Sequence, residues 1–137
     1  MRPMSVNFFL DSNICLYLLA DDDSKKEISF SLLEQNPIIS TQVLSESVNV
    51  ILKKYKHLTI IDATKFIAYL QQYSTIEIIT ENTITTALKI KEKYQLQWYD
   101  SLILASALQA GCTTLYSEDM HHGLVVEKSL TIINPFL

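Results

Sequence analysis

Four acidic residues, Asp11, Glu46, Asp100 and Asp119, occupy positions from which carboxylates could act together. Asp11 closes a short apolar run in the string FFLDSN, and Asp119 follows a second such run in LYSEDMHH. Glu46 lies in TQVLSESVNVILKKY, with Val43 at i−3 and Val50 at i+4 on its own helical face. Asp100 opens YDSLILASALQAG, with Ile103, Leu104 and Ala107 along its face. A carboxylate turned inward is costly unless something satisfies it. Four of them in one pocket repel one another unless cations are present. Hard oxygen ligands select Mg²⁺ or Mn²⁺. Two such ions roughly 4 Å apart can clamp the attacking and leaving oxygens of a phosphoryl displacement.

Each acid also has a plainer reading. Asp11 suits an N-cap or Asx turn, and Asp119 a solvated turn. Glu46 could reach solvent at the edge of its stripe, and Asp100 could complement a helix dipole. Only joint placement distinguishes the two accounts, so the elements that carry these residues matter.

Short apolar runs alternate with helical stretches. Strands are expected over 6–10, 37–40, 76–79 and 113–116, with a short fifth over 130–133. Helices are expected over 14–20, 25–35, 41–55, 59–73, 80–94 and 99–110, the last closed by Gly111. This alternation predicts one α/β domain over 1–137, with three layers and a central, mostly parallel sheet of four to five strands flanked by helices. In such sheets ligands bind beyond the carboxyl ends of the strands, where Asp11 and Asp119 fall.

Composition sets outer bounds. Of 137 residues 48% are hydrophobic, enough for a core without disulfides. Two glycines and three prolines exclude a linker-rich chain and disfavour an all-β sandwich. Fifteen acidic against 11 basic residues give a formal charge of −4, which argues against nucleic-acid binding through a basic surface alone. Cys15 and Cys112 lack zinc-ligand spacing and read as small buried residues. No run approaches the ~18 apolar residues of a membrane span, and the first apolar run stops at Asp11, too soon for a secretory leader. The expected location is the cytoplasm, with no membrane association.

The strings FFLDSN, STQVLSE, YDSLILASALQAGC and LYSEDMHHG resemble, in that order, the motifs of PIN-domain ribonucleases, nearest to VapC-type toxins of toxin–antitoxin pairs. The resemblance spans essentially the whole chain. It is most specific from Tyr99 to Gly123 and weak between Asp21 and Pro37. It assigns Asp11, Glu46, Asp100 and Asp119 to an acidic metal site and Asn13 and Ser117 to polar positions supporting it. The family often has Thr where this chain has Ser12 and Ser117, a departure that keeps the hydroxyl. It implies Mg²⁺- or Mn²⁺-dependent hydrolysis of RNA, leaving 5′-phosphate and 3′-hydroxyl ends. Asp11 and Asp100 would then be the main direct ligands, with Ser117 and Asn13 orienting them. A cognate antitoxin and a homodimer are further implications. Such antitoxins typically place a helix, often with a basic residue, against the acidic pocket.

Other polar and aromatic residues have bland readings beside the chemical ones. His121 and His122 are expected as solvated loop residues, since hard cations prefer oxygen. Trp98 and Tyr99 could stack on a base or pack at the start of their helix. Lys53, Lys54 and Lys56 could touch phosphate or complement a helix C-terminus. Glu118 and Asp21–Asp23 are expected in solvent. Two rival functions remain in view. A response-regulator receiver domain would need paired acids after the first strand and a late Lys, and neither is present. A catalytically silent PIN-like module binding nucleic acid or protein is the alternative.

Overall fold

The computed structural model describes residues 7–137. Residues 1–6, including Val6, expected to start the first strand, lie outside the described residues. Six strands form one sheet: β1 (Phe8–Leu10), β2 (Ile38–Ser40), β3 (Thr75–Glu77), β4 (Thr114–Tyr116), β5 (Val125–Val126) and β6 (Leu130–Ile133). Their order is β3-β2-β1-β4-β6-β5, parallel throughout except for the β5–β6 hairpin. Six helices connect them: α1 (Ser12–Leu16), α2 (Asp23–Leu33), α3 (Thr41–Lys54), α4 (Ile60–Tyr73), α5 (Glu81–Tyr94) and α6 (Trp98–Gln109).

The order reverses at β1. Strands β2 and β3 step away on one side, and the chain then returns through α5 and α6 to place β4 on the other. Right-handed crossovers put α1–α4 on one face of the sheet and α5–α6 on the opposite one. The contacts agree: α3 packs on α1 and α4, while α5 and α6 pack on each other. Helix α6 is buried from Ser101 to Ala107, and with β1, β4 and β6 it supplies much of the core. Phe9, Leu104, Leu115 and Leu130 are fully enclosed.

Differences from the sequence expectation are local. The sheet has six strands rather than four to five. The extra one, β5, pairs through a turn in which Glu127 and Lys128 both take positive φ, with Ser129 N–H donating to Val126 C=O. That turn usually selects Asn-Gly, so its residues gave no cue. The expected helix over 14–20 is instead α1 followed by a 3-10 turn at Tyr17–Leu19. Asp22 does not sit free in solvent but caps α2, accepting from Lys25 N–H at 3.1 Å, and Asp23 occupies that helix's first turn. Gly111, at φ +75°, ends α6 as expected. Cys15 and Cys112 are buried, as expected. Among the described residues no helix is long and apolar enough to cross a membrane.

Candidate metal centre at the strand ends

Asp11 follows the last residue of β1 at the centre of the sheet, and its N–H donates to Tyr116 C=O of β4 at 3.0 Å. Its side chain does cap α1, accepting from Ser12 N–H at 2.7 Å. Capping uses one oxygen only. The other accepts from Ser117 Oγ at 2.9 Å and from Asn13 Nδ2 at 3.4 Å. The residue is 6% exposed. Burial pushes its pKa up to about 6, against the opposing hydrogen bonds from Ser117 and Ser12 and with added repulsion from Asp100 and Asp119.

Asp119 stands on the loop after β4, and Asn13 Nδ2 donates to it at 3.1 Å. One amide thus spans Asp11 and Asp119, two carboxylates separated by most of the chain. Asn13 Oδ1 in turn accepts from Glu118 N–H at 3.3 Å, and Ser117 Oγ accepts from Met120 N–H at 3.3 Å. Both polar residues expected to support the acids therefore touch them and also fix the backbone of the loop.

Glu46 and Asp100 arrive from the helices. Ser40, the last residue of β2, caps α3 by accepting from Val43 N–H, which points α3 away from the same sheet edge. Val43 is buried and Val50 half-buried, as the stripe predicts. Burial, then the charges of Asp11 and Asp100, push Glu46 up to about 7, with the polar side chains of Gln42 and Ser12 nearby opposing the shift. Its Oε1 is sealed from solvent without a hydrogen-bond partner. Asp100, in the first turn of α6, is half-buried and raised by burial and by Asp119. Gln42 Nε2 donates to Tyr99 C=O at 3.2 Å, tying α3 to the start of α6.

The charges of neighbouring acids thus help raise the carboxyls of Asp11, Glu46 and Asp100, and among the described residues none of the four acids is paired with a basic side chain. Among the described residues the ion pairs are Lys25–Glu118 and Lys93–Glu127. Among those residues, too, no three His, Cys, Asp or Glu side chains stand close enough together to hold a metal ion as placed. Asp119 lines one cleft and Glu46 a neighbouring one, with Asn13 linking Asp11 to Asp119. An all-oxygen set of this kind is chemically suited to a hard divalent cation.

Several residues behave differently from their sequence readings. Glu118, expected in solvent, pairs with Lys25 Nζ at 2.5 Å and accepts from the Tyr17 hydroxyl. Against the opposing effect of burial, these partners hold its carboxyl below the usual range. Lys25 also lies over the Tyr17 and Phe136 rings, at 4.9 and 5.2 Å. Trp98 packs on the core, whereas Tyr99 is 63% exposed and does not pack inward. His121 and His122 are exposed as expected, and His122 Nδ1 accepts from Asn134 N–H. Sequence reasoning missed Tyr17, Lys25 and Gln42, which carry no spacing signal because their partners lie 57 to 101 residues away.

No curated protein matches the chain in sequence. Solved structures do match in fold. Mycobacterium tuberculosis VapC20, described as a Sarcin-Ricin loop cleaving toxin, is 17% identical with a TM-score of 0.66, covering 82% of this chain and 89% of that one. A toxin–antitoxin complex from Klebsiella pneumoniae is 19% identical with a TM-score of 0.69, covering 93% and 96%. FitAB bound to an IR36 DNA fragment is 17% identical with a TM-score of 0.68, covering 95% and 96%. At these identities the likeness establishes the fold. A sequence model of the PIN domain covers residues 8–125, from the first residue of β1 to the first of β5, so the chain belongs to the PIN domain family.

Proposed function

We propose that this protein is a Mg²⁺- or Mn²⁺-dependent endoribonuclease and the toxin of a VapBC-type toxin–antitoxin pair. The observation that carries the reading is the convergence of Asp11, Glu46, Asp100 and Asp119 from four segments, near enough for neighbouring charges to raise the carboxyls of Asp11, Glu46 and Asp100, with no basic partner among the described residues. Pairing with Lys or Arg would make such a cluster structural; its absence leaves a cation as the group that relieves the repulsion. The orphaned Oε1 of Glu46 fits the same account.

Asp11, Glu46, Asp100 and Asp119 would hold one or two ions. When bound, these supply a water of lowered pKa and neutralise charge on the scissile phosphate. The chain's own residues prepare the site. Ser117 and Asn13 donate to Asp11, leaving its carboxylate one orientation, and Asn13 fixes Asp119 relative to it. Ser12 N–H keeps the capping oxygen of Asp11 engaged, and Gln42 holds Glu46 and the start of α6 together. Hydrolysis leaves 5′-phosphate and 3′-hydroxyl ends. The toxin and the toxin–antitoxin complex among the structural neighbours support the toxin role and an antitoxin partner. On the PIN-family resemblance that antitoxin would cover the acids. An apolar groove of about 480 Å³ between α2 and α4, lined by Leu18, Phe30, Phe66 and Tyr69, offers that antitoxin surface to bury. A homodimer belongs to the same reading.

Purified protein should cleave total RNA with Mg²⁺ or Mn²⁺ and stop on chelation, and Asp100→Asn should abolish cleavage while circular dichroism stays unchanged. Full activity in that variant defeats the assignment. Folded wild-type protein that binds neither ion by calorimetry would favour the silent binding module. Expression alone should slow growth, and co-expression of an adjacent small open reading frame should relieve it. Harmless expression of an active enzyme would remove the toxin role and leave the nuclease.

A further inference from the structure

A cleft of about 360 Å³ runs from the acids to the end of α3, and its chemistry is not used by the acid cluster. Asn13 and Asp119 line it at the acidic end; Tyr17, Val50, Lys54 and Tyr55 line the rest. The volume is that of a pocket for one small molecule or nucleotide. Aromatic, aliphatic and cationic side chains together are what a nucleotide needs: a flat face for the base and a charge for the phosphate.

Three features make this more than a surface depression. The Tyr17 ring is fixed, edge-on to Phe136 at 5.0 Å with its hydroxyl committed to Glu118. Tyr55 is half-buried yet outside the set of residues packed on the core, and it stands where the chain turns out of α3. Lys54 is exposed and, among the described residues, in neither ion pair. Lys53 and Lys54 do complement the α3 C-terminus, but Lys54 also lines the cleft. Two acids line the cleft: the charge of Glu118 is offset by Lys25, and Asp119 stands at the far end with the acid cluster.

We propose that this cleft is a nucleotide subsite. It takes one unpaired nucleotide of the RNA strand next to the cleaved bond, the base stacking on Tyr55 and Lys54 meeting the phosphate. The proposal rests on the ribonuclease reading and names the substrate class more narrowly: single-stranded RNA, since a paired base presents no free face to a ring.

Binding of a fluorescein-labelled single-stranded oligoribonucleotide of mixed sequence, followed by anisotropy in the Asp100→Asn background, separates affinity from cleavage. Tyr55→Ala should weaken binding about tenfold, and Tyr55→Phe should bind as its parent does, because the ring and not the hydroxyl is used. Lys54→Ala should lower the slope of log affinity against log salt by about 0.7, one phosphate contact. In the cleaving enzyme each loss should appear in KM with kcat held, and Mn²⁺ affinity by calorimetry should not move. Tyr55→Ala binding RNA as tightly as its parent, or losing Mn²⁺ affinity, overturns the subsite. If the parent binds RNA with this Tyr55 dependence but wild type does not cleave, the nuclease reading falls and the subsite stands. If the parent does not bind single-stranded RNA, both fall.

Discussion

Asp11 is enclosed by β1, β4 and α1, and even its three hydrogen-bond donors do not offset the loss of water around it. Glu46 is in the same position with weaker support. The consequence for stability has a definite sign. An acid whose folded pKa is raised binds more protons folded than unfolded between its ordinary value and the raised one. For Asp11 that window runs from 3.8 to about 6, and for Glu46 from 4.5 to about 7. Metal-free protein should therefore lose stability as pH rises from 4 to 7 and level off above. Glu118 and Asp62, held low, act in the opposite direction but below pH 5. In chelator, Tm should be higher at pH 5 than at pH 8, and Mg²⁺ should raise it most at pH 8. Asp11→Asn and Glu46→Gln should each flatten this profile, raise the metal-free Tm at pH 8 and abolish cleavage. A chelated Tm that climbs from pH 5 to pH 8 would refute the account. Legibility at this scale was uneven. The acids could be picked out because each follows a strand or sits on a patterned helix, while Asn13 and Ser117 were reached only through the resemblance to PIN-domain ribonucleases. Gln42, Tyr17 and Lys25 could not, because a contact between distant segments leaves no mark in local periodicity.

Between the residue and the whole stand the elements that hold the loop after β4. That loop carries Asp119 and is pinned twice, by Asn13 of α1 and by the Lys25–Glu118–Tyr17 contacts reaching from α2 and the 3-10 turn. Lys25→Met removes the second pin while leaving the aliphatic stem near the Tyr17 and Phe136 rings. Mn²⁺ affinity should fall about tenfold, the scale of losing an outer support of a metal ligand, with Tm shifting by only a few degrees because the pair is partly exposed. Unchanged affinity by calorimetry would mean that Asn13 alone sets Asp119. The larger elements followed from hydrophobic pattern, with Gly111 marking the end of α6; the Ser40 cap of α3 and the reciprocal Thr59–Asp62 cap of α4 are seen in the structure. Where tertiary contacts decide, as in the 3-10 turn and the Glu127–Lys128 hairpin, the local residues carried no such instruction.

Among the described residues the sheet is most deeply covered at β1 and β2 and thins toward β3 at one edge and β5 at the other. Amide exchange should reflect this, slowest at Phe9, Leu10 and Leu115 and fastest at Ile76 and Val125. Equal protection at centre and edges would contradict the packing described. The central pairing also has a temporal side. Strand β4 lies between β1 and β6, and Asp119 takes its place beside Asp11 only when β4 is seated there. On a ribosome, the first acid is made early and waits more than a hundred residues for its companion. The acids cannot gather until the strands through Ile133 have left the exit tunnel, so on the proposed ribonuclease reading translation itself would delay the first cleavage in the cell making the protein.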